Sequence, residues 1–198
     1  MPQDLPERPA TYADLEAVPP HLVAEILFGK LVTHPRPAPR HGAATASLID
    51  ELVGPYQKSR NGPGGWIFVD EPELHLGPHT AVPDIAGWRK ERFSQPPDKA
   101  YFEIAPDWVC EAISPSTEKY DKGDKRKIYA THGVGHLWYI EPRIKSLEVF
   151  ARQDQSWLLT HTFFDDDDVC APPFNALKFK LGLLWPFDDL PQTTTPDA

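Results

Sequence analysis

Three carboxylates interrupt short apolar segments of the sequence that are typical of β-strands. They are Glu25 in segment 22–27, Asp84 in segment 82–88 and Glu111 in segment 108–113. Any one of them could point to solvent, because alternate side chains of a half-exposed strand do so. An ionised carboxylate inside a sheet is costly unless it is paired or binds a metal. Three such residues in one chain favour convergence on a common site.

A shared site for these carboxylates would attract a divalent cation. Repulsion among converging carboxylates raises their pKa values when no metal is bound, and a cation relieves it. All-oxygen ligands favour hard ions, so we expect Mg²⁺, with Mn²⁺ as a possible substitute. Such an ion activates water and offsets charge on a leaving oxygen. Phosphodiester hydrolysis is therefore the expected reaction, although another phosphate ester also fits.

A basic residue follows the third carboxylate on a predicted helix over 120–132. Asp121, Lys125 and Tyr129 are spaced by one turn and share a face of that helix. Lys125 could orient or deprotonate the attacking water, or stabilise charge on the phosphorane. A simple Asp121 to Lys125 ion pair explains the spacing equally well. Four other basic residues lie nearby and form the best candidate for a DNA-facing patch: Lys119, Lys122, Arg126 and Lys127.

The elements that must position these residues indicate one α/β domain, of the mixed α+β kind, over 11–186. We expect a flexible N-terminus over 1–10 and a disordered acidic tail over 187–198. The predicted helices are 11–17, 41–58 and 120–132. The predicted strands are 22–27, 30–32, 66–69, 73–76, 82–88, 108–113, 136–140, 146–151, 157–164 and 176–181. A chain of 198 residues can bury a core without disulfides.

Composition limits the partners and the compartment. The formal net charge of −9 does not favour phosphate binding, although part of it lies in the Asp165–Asp168 run and the tail. The sequence contains no apolar stretch long enough for a membrane span and no basic start, so we expect a cytoplasmic protein. Cys110 and Cys170 are expected to be buried as small apolar residues.

Other candidate site residues are given structural interpretations. Gly133 and Gly135 separate His132 from His136 and argue against a shared zinc site. His41 could contact a phosphate, but an exposed or capping role is favoured. Four tryptophans of β-type segments are assigned to the core, and they are Trp66, Trp88, Trp108 and Trp138. The sequence has no phosphate loop of the Walker type, and we expect no small-molecule cofactor.

These motifs, in this order, resemble the large bacterial Uma family of predicted restriction endonucleases in the PD-(D/E)XK superfamily. The likeness spans most of the chain. It rests on Glu25 ahead of Phe28-Gly29-Lys30-Leu31, on Pro83-Asp84-Ile85-Ala86, on the run from Pro106 to Thr117, and on Asp121, Lys125, Tyr129, Gly133-Val134 and Trp138-Tyr139-Ile140.

The resemblance implies a restriction-endonuclease-like fold, with a central mixed sheet flanked by helices. It implies that Asp84 and Glu111 are metal ligands, that Glu25 contributes, and that the Ala112 carbonyl faces the metal. The superfamily lysine, two residues after the glutamate, is replaced here by Ile113. Its role maps onto Lys125, with Lys122 and Lys127 as alternatives.

The implied activity is DNA endonuclease cleavage. Because cutting both strands of a duplex requires two sites, the resemblance also implies a homodimer. The main alternative is a catalytically silent nucleic-acid-binding or protein-interaction module on the same fold. The net charge and the missing lysine favour that alternative, and metal binding distinguishes the two.

Overall fold

The computed structural model describes residues 8–95, 98–188 and 190. Most of the predicted flexible N-terminus (1–10) and acidic tail (187–198) lies outside these residues. None of the helices within the described ranges is long and apolar enough to cross a membrane.

In the described part of the chain the strands form three sheets. Their bounds are β1 Leu22–Leu27, β2 Lys30–Pro35, β3 Trp66–Asp70, β4 Leu74–Leu76, β5 His79–Ala81, β6 Ile85–Arg89, β7 Trp108–Ala112, β8 His136–Glu141, β9 Ser146–Gln153, β10 Ser156–Phe164, β11 Asp168–Val169 and β12 Phe179–Lys180. The largest sheet has the order β10-β9-β8-β7-β6-β3, the second β2-β1-β5-β4, and β11 pairs with β12. In the largest sheet β7 and β8 are parallel and the other neighbours are antiparallel, which makes it a mixed sheet.

The helices cover the sheets and connect the parallel strands. They are α1 Tyr12–Glu16, α2 Pro39–Leu52, α3 Glu118–Tyr120 and α4 Arg126–Thr131, with shorter 3₁₀ segments at Lys90–Arg92 and Leu181–Leu184. A π-helical turn extends α2 over Val53–Gln57, and a second one joins α3 to α4 over Asp121–Lys125. The second π-turn belongs to the helical crossover that parallel strands such as β7 and β8 require. π-turns are rare and occur frequently at functional sites.

Two apolar cores lie on opposite faces of the largest sheet, as strand alternation requires. Trp66, Trp108 and Trp138 pack around Phe174 in one core. Trp88 lies in the other core, stacked on Phe102 with ring centroids 4.5 Å apart. All four tryptophans are buried, which confirms their predicted place in the core.

Three predictions about the strands and the cysteines were wrong. Asp84 lies outside a strand, because the predicted segment 82–88 becomes a strand only at Ile85, where β6 begins. Residues 82–84 connect β5 to β6 and include Pro83, which has no N–H for a ladder. The predicted strand 176–181 shortens to β12. Cys170 is exposed, whereas Cys110 is buried as expected.

Candidate active site

Asp84 and Glu111 meet because β6 and β7 are neighbours. The antiparallel register pairs Ile85 with Cys110. Asp84, which precedes Ile85, therefore lies opposite Glu111, which follows Cys110. Asp84 Oδ2 accepts a hydrogen bond of 2.7 Å from the Ala112 N–H. The Asp84 N–H points back to Glu111 Oε2 at 3.4 Å. The backbone N–H groups of Asp84 and Ala112 therefore orient the carboxylates of Glu111 and Asp84, respectively.

Lys125 is the centre of a buried ionic cluster. Its side chain is 3% exposed, and Nζ lies 2.8 Å from Glu111 Oε1, 3.2 Å from Asp121 Oδ1 and 3.5 Å from Glu25 Oε1. Nζ also donates to the Val82 carbonyl at 3.1 Å. The predicted ion pair with Asp121 is present, and the same ammonium reaches the site carboxylates. The ion-pair interpretation is therefore confirmed, and the role of Lys125 toward the attacking water stays a prediction.

Glu25 reaches this cluster from β1. Its Oε1 accepts the Val82 N–H at 2.7 Å, and its Oε2 lies 3.6 Å from His34 Nε2 on β2. Glu25 is 1% exposed. Unlike Asp84 and Glu111, Glu25 does not line the cavity of the site, so the geometry favours a role in holding Lys125 and the segment before Asp84. The sequence had suggested that Glu25 binds the metal.

Burial and pairing shift the pKa values of the cluster in different directions. Burial raises the pKa of Glu111 well above its usual range, although the Lys125 charge opposes this rise. Burial also raises the pKa of Asp121. Burial alone would lower the pKa of Lys125, but Glu111 and Glu25 outweigh it and raise that pKa well above its usual range. Lys125 therefore remains protonated at neutral pH.

Glu25 provides a stability test of this arrangement. Burial opposes its ionisation, but Lys125, His34 and the Val82 N–H together lower its pKa below the usual value of 4.5. A depressed carboxyl pKa contributes stability above the unfolded-state pKa and loses it as pH falls through the folded-state value. Glu25→Gln should therefore lower the free energy of unfolding by about 1.5–3 kcal/mol at pH 7.

The measurement is urea denaturation of both proteins at neutral pH and at several acid pH values. The difference from wild type should shrink as the pH falls below the usual carboxyl pKa. A difference that stays constant with pH would contradict the ionised, paired state of Glu25.

His41 is a site residue that sequence reasoning assigned elsewhere. Its side chain is 12% exposed, and Nε2 lies 2.7 Å from Asp84 Oδ1. The expectation of an exposed or capping histidine was wrong. A signal was present, because His41 precedes the buried residues Thr45, Leu48 and Leu52 of α2 at spacings of four, seven and eleven residues. These spacings place His41 on the core-facing stripe of the helix.

Most of the candidate residues line one cavity of about 300 Å³. Glu25 lies behind Lys125, and the other polar residues of the site line the wall, namely His34, Arg36, His41, Glu71, Asp84, Glu111, Ser114, Ser116, Thr117, Asp121 and Lys125. His34 was not singled out from the sequence. Within the described residues, no group of three or more histidine, cysteine or acidic side chains is placed to hold a metal ion.

The donor chemistry of Asp84 and Glu111 still suits one particular kind of ion. Mg²⁺ in phosphoryl-transfer sites uses one or two carboxylates, and water and substrate phosphate complete its shell. Two adjacent carboxylates on a cavity wall satisfy that requirement without a third acidic ligand.

The fold is similar to that of a solved crystal structure. The crystal structure of "a putative nuclease belonging to DUF820" from Anabaena variabilis ATCC 29413 matches with a TM-score of 0.72. The two chains are 22% identical, and the match covers 90% of this chain and 99% of that one. The predicted α/β fold with a mixed sheet is confirmed.

The sequence comparison identifies the family. The Uma2 family, described as "Putative restriction endonuclease", matches residues 9–182, and the chain belongs to this family. This match confirms the resemblance carried by the motifs. No curated protein matched the chain.

Proposed function

We propose that this protein is a divalent-metal-dependent endonuclease that hydrolyses phosphodiester bonds of nucleic acid, with DNA as its substrate. The observation that carries the proposal is the meeting of Asp84 and Glu111 beside the Lys125 ammonium in one cavity. Membership of a nuclease family and a nuclease-like fold support it.

Asp84 and Glu111 would hold the ion, and the Ala112 carbonyl would be the third protein ligand. The Ala112 N–H already points to Asp84, and in a strand the C=O of a residue points to the same edge as its N–H. A bound Mg²⁺, or Mn²⁺ in its place, would supply a more acidic water and offset charge on the phosphoryl oxygens.

The other residues of the cluster would support this pair. Protonated Lys125 cannot take a proton from water, so we assign it to orienting the water and offsetting negative charge at the phosphorus. Glu25 and Asp121 hold Lys125 in place. His41 fixes the orientation of Asp84 through their 2.7 Å contact.

Metal affinity should depend on pH through Glu111. Burial raises the pKa of this carboxyl, so protons compete with a metal for it increasingly as the pH falls. The affinity for Mg²⁺ should therefore rise with pH and level off above the pKa of Glu111. Calorimetric titration in two buffers of different ionisation enthalpy measures the affinity and the proton release together. A pH-independent affinity without proton release would exclude Glu111 as a protonated ligand.

A catalytically silent module on the same fold is the second candidate. It is favoured by Lys125, whose ammonium contacts three carboxylates, and by the absence of a three-residue metal cluster among the described residues. Such a module would bind nucleic acid or protein without needing Mg²⁺. Metal binding separates the two candidates.

The test of the proposed function is incubation of the protein with supercoiled plasmid in Mg²⁺, Mn²⁺ or a chelator. We expect nicked DNA with either ion and intact DNA with the chelator. A homodimer, which we also propose, would add linear product, because two sites can cut both strands. Analytical ultracentrifugation of the same preparation gives the oligomeric state. Intact plasmid under all conditions would favour the silent module.

A further inference from the structure

The charge of the cavity wall is unfavourable for a phosphodiester. Four acidic residues line it, Glu71, Asp84, Glu111 and Asp121, against two residues with permanent positive charge, Arg36 and Lys125. Lys125 is 3% exposed and already contacts three carboxylates. Arg36 is therefore the strongly basic group of this wall whose charge is open to a ligand.

The residues predicted to form a DNA-facing patch do not supply that charge to the cavity. Lys122 Nζ lies 3.0 Å from Glu118 Oε1 and 3.9 Å from Glu141 Oε2. The Arg126 guanidinium lies 4.5 Å from the centre of the Phe150 ring on β9. Neither side chain belongs to the cavity wall. Positive charge for phosphate recognition in this cavity must therefore come from residues of its wall.

The chain holds Arg36 at the cavity through two prolines. Arg36 lies between Pro35, the last residue of β2, and Pro37, ahead of α2. A proline has a fixed φ, and it also restricts the residue before it to extended conformations. The backbone on both sides of Arg36 is therefore limited to few conformations. The guanidinium remains accessible, because the side chain is 58% exposed.

Glu71 restrains Arg36 at the cavity mouth. Arg36 Nη1 lies 3.1 Å from Glu71 Oε2. Glu71 has a positive φ of 42°, a conformation that non-glycine residues seldom adopt, and its N–H donates to the Asp84 carbonyl at 3.0 Å. The ion pair is thus attached to the backbone of a candidate metal ligand. Because it is exposed, the pair is weak, and a phosphate offers the guanidinium a better bidentate partner.

We propose that Arg36 is the residue of the cavity that binds the nucleic-acid phosphate, and that Glu71 holds it at the mouth until the phosphate displaces the carboxylate. This inference rests on the proposed nuclease function, since it names the group that recognises the substrate of that site. Binding of phosphate by Arg36 would also explain how a chain of net charge −9 binds a polyanion.

The test is fluorescence anisotropy of a short fluorescein-labelled DNA duplex, titrated with full-length protein at several salt concentrations. Ca²⁺ replaces Mg²⁺ so that the duplex stays intact. Arg36→Gln should weaken binding about tenfold, and its salt dependence should correspond to about one phosphate contact fewer. Glu71→Gln should tighten binding about threefold, because it releases Arg36. Lys178→Gln, which removes an exposed and paired lysine outside the cavity wall, should bind like wild type.

The double variant Arg36→Gln/Glu71→Gln separates release of Arg36 from a general charge effect. We expect it to bind as weakly as Arg36→Gln alone. Equal tightening by Glu71→Gln with and without Arg36 would overturn the inference, as would wild-type affinity of Arg36→Gln. If inorganic phosphate at low concentration displaced the duplex from wild type but did not affect the residual binding by Arg36→Gln, Arg36 would be a site for free phosphate, which would also overturn the inference. If wild type does not bind the duplex at all, the proposed nuclease function fails first.

Discussion

Lys125→Met should abolish cleavage and lower the free energy of unfolding by about 3–5 kcal/mol. The ammonium lies within 3.5 Å of carboxylate oxygens of Glu25, Glu111 and Asp121, and all of these side chains are almost fully buried. Methionine keeps most of the volume but leaves three acidic groups without their shared cation. Urea denaturation at pH 7 measures the stability, and plasmid nicking measures the activity.

Two further variants distinguish charge loss from general damage. Lys122→Met, on the same helical stretch but 34% exposed, should change stability by less than about 1 kcal/mol. Adding Glu25→Gln to Lys125→Met should restore part of the lost stability and none of the cleavage. Wild-type stability of Lys125→Met would mean that the ionic cluster is not formed.

Asp84→Asn should reduce the cleavage rate about 1000-fold or more while the protein remains folded. The amide oxygen can still accept the Ala112 N–H, so the local backbone is retained. It cannot offer the negative charge that a divalent ion requires, and metal catalysis is worth several kcal/mol of transition-state stabilisation. Single-turnover nicking of plasmid measures the rate.

The matched control is Asp50→Asn, the same substitution at an exposed position of α2. It should cleave at the wild-type rate. Glu111→Gln should behave like Asp84→Asn, because both carboxylates belong to the proposed ligand pair. Retained cleavage by Asp84→Asn would remove Asp84 from the proposed site.

The strands and helices could largely be predicted from the sequence, because the patterns that indicate them are local. The buried strand β7 is a short apolar run followed by Ser114-Pro115, and the helical crossover that follows ends at Gly133. The start of β6 at Ile85 rather than Val82 could not be predicted, because residues 79–81 form a separate strand, β5, that pairs with the distant β1 as well as with β4. The π-turn at Asp121–Lys125 likewise was not predicted, since the one-turn spacing of Asp121, Lys125 and Tyr129 is that of an ordinary α-helix.

Site residues could be predicted from the sequence where a charged residue interrupts an apolar segment. Glu25, Glu111 and Lys125 could be singled out because charged groups are rare on apolar faces, and the structure brings them into contact. Convergence of the carboxylates was expected, but the individual contacts could not be predicted, since Glu25 on β1 is far in sequence from β7 and the helical turn that carries Lys125. Arg36 and Glu71 come from ordinary polar loops, and only the tertiary structure places them across one cavity mouth.

Calorimetric titration of wild type and Asp84→Asn with Mg²⁺, without nucleic acid, is the most direct test of a metal site at Asp84 and Glu111. We predict saturable binding of Mg²⁺ by wild type, weakened more than about 100-fold in Asp84→Asn. Thermal unfolding of both proteins, recorded beside the titration, verifies that they are folded. Absence of Mg²⁺ binding by folded wild type at millimolar concentration would contradict the proposed metal-dependent nuclease and leave the silent module as the function of this fold.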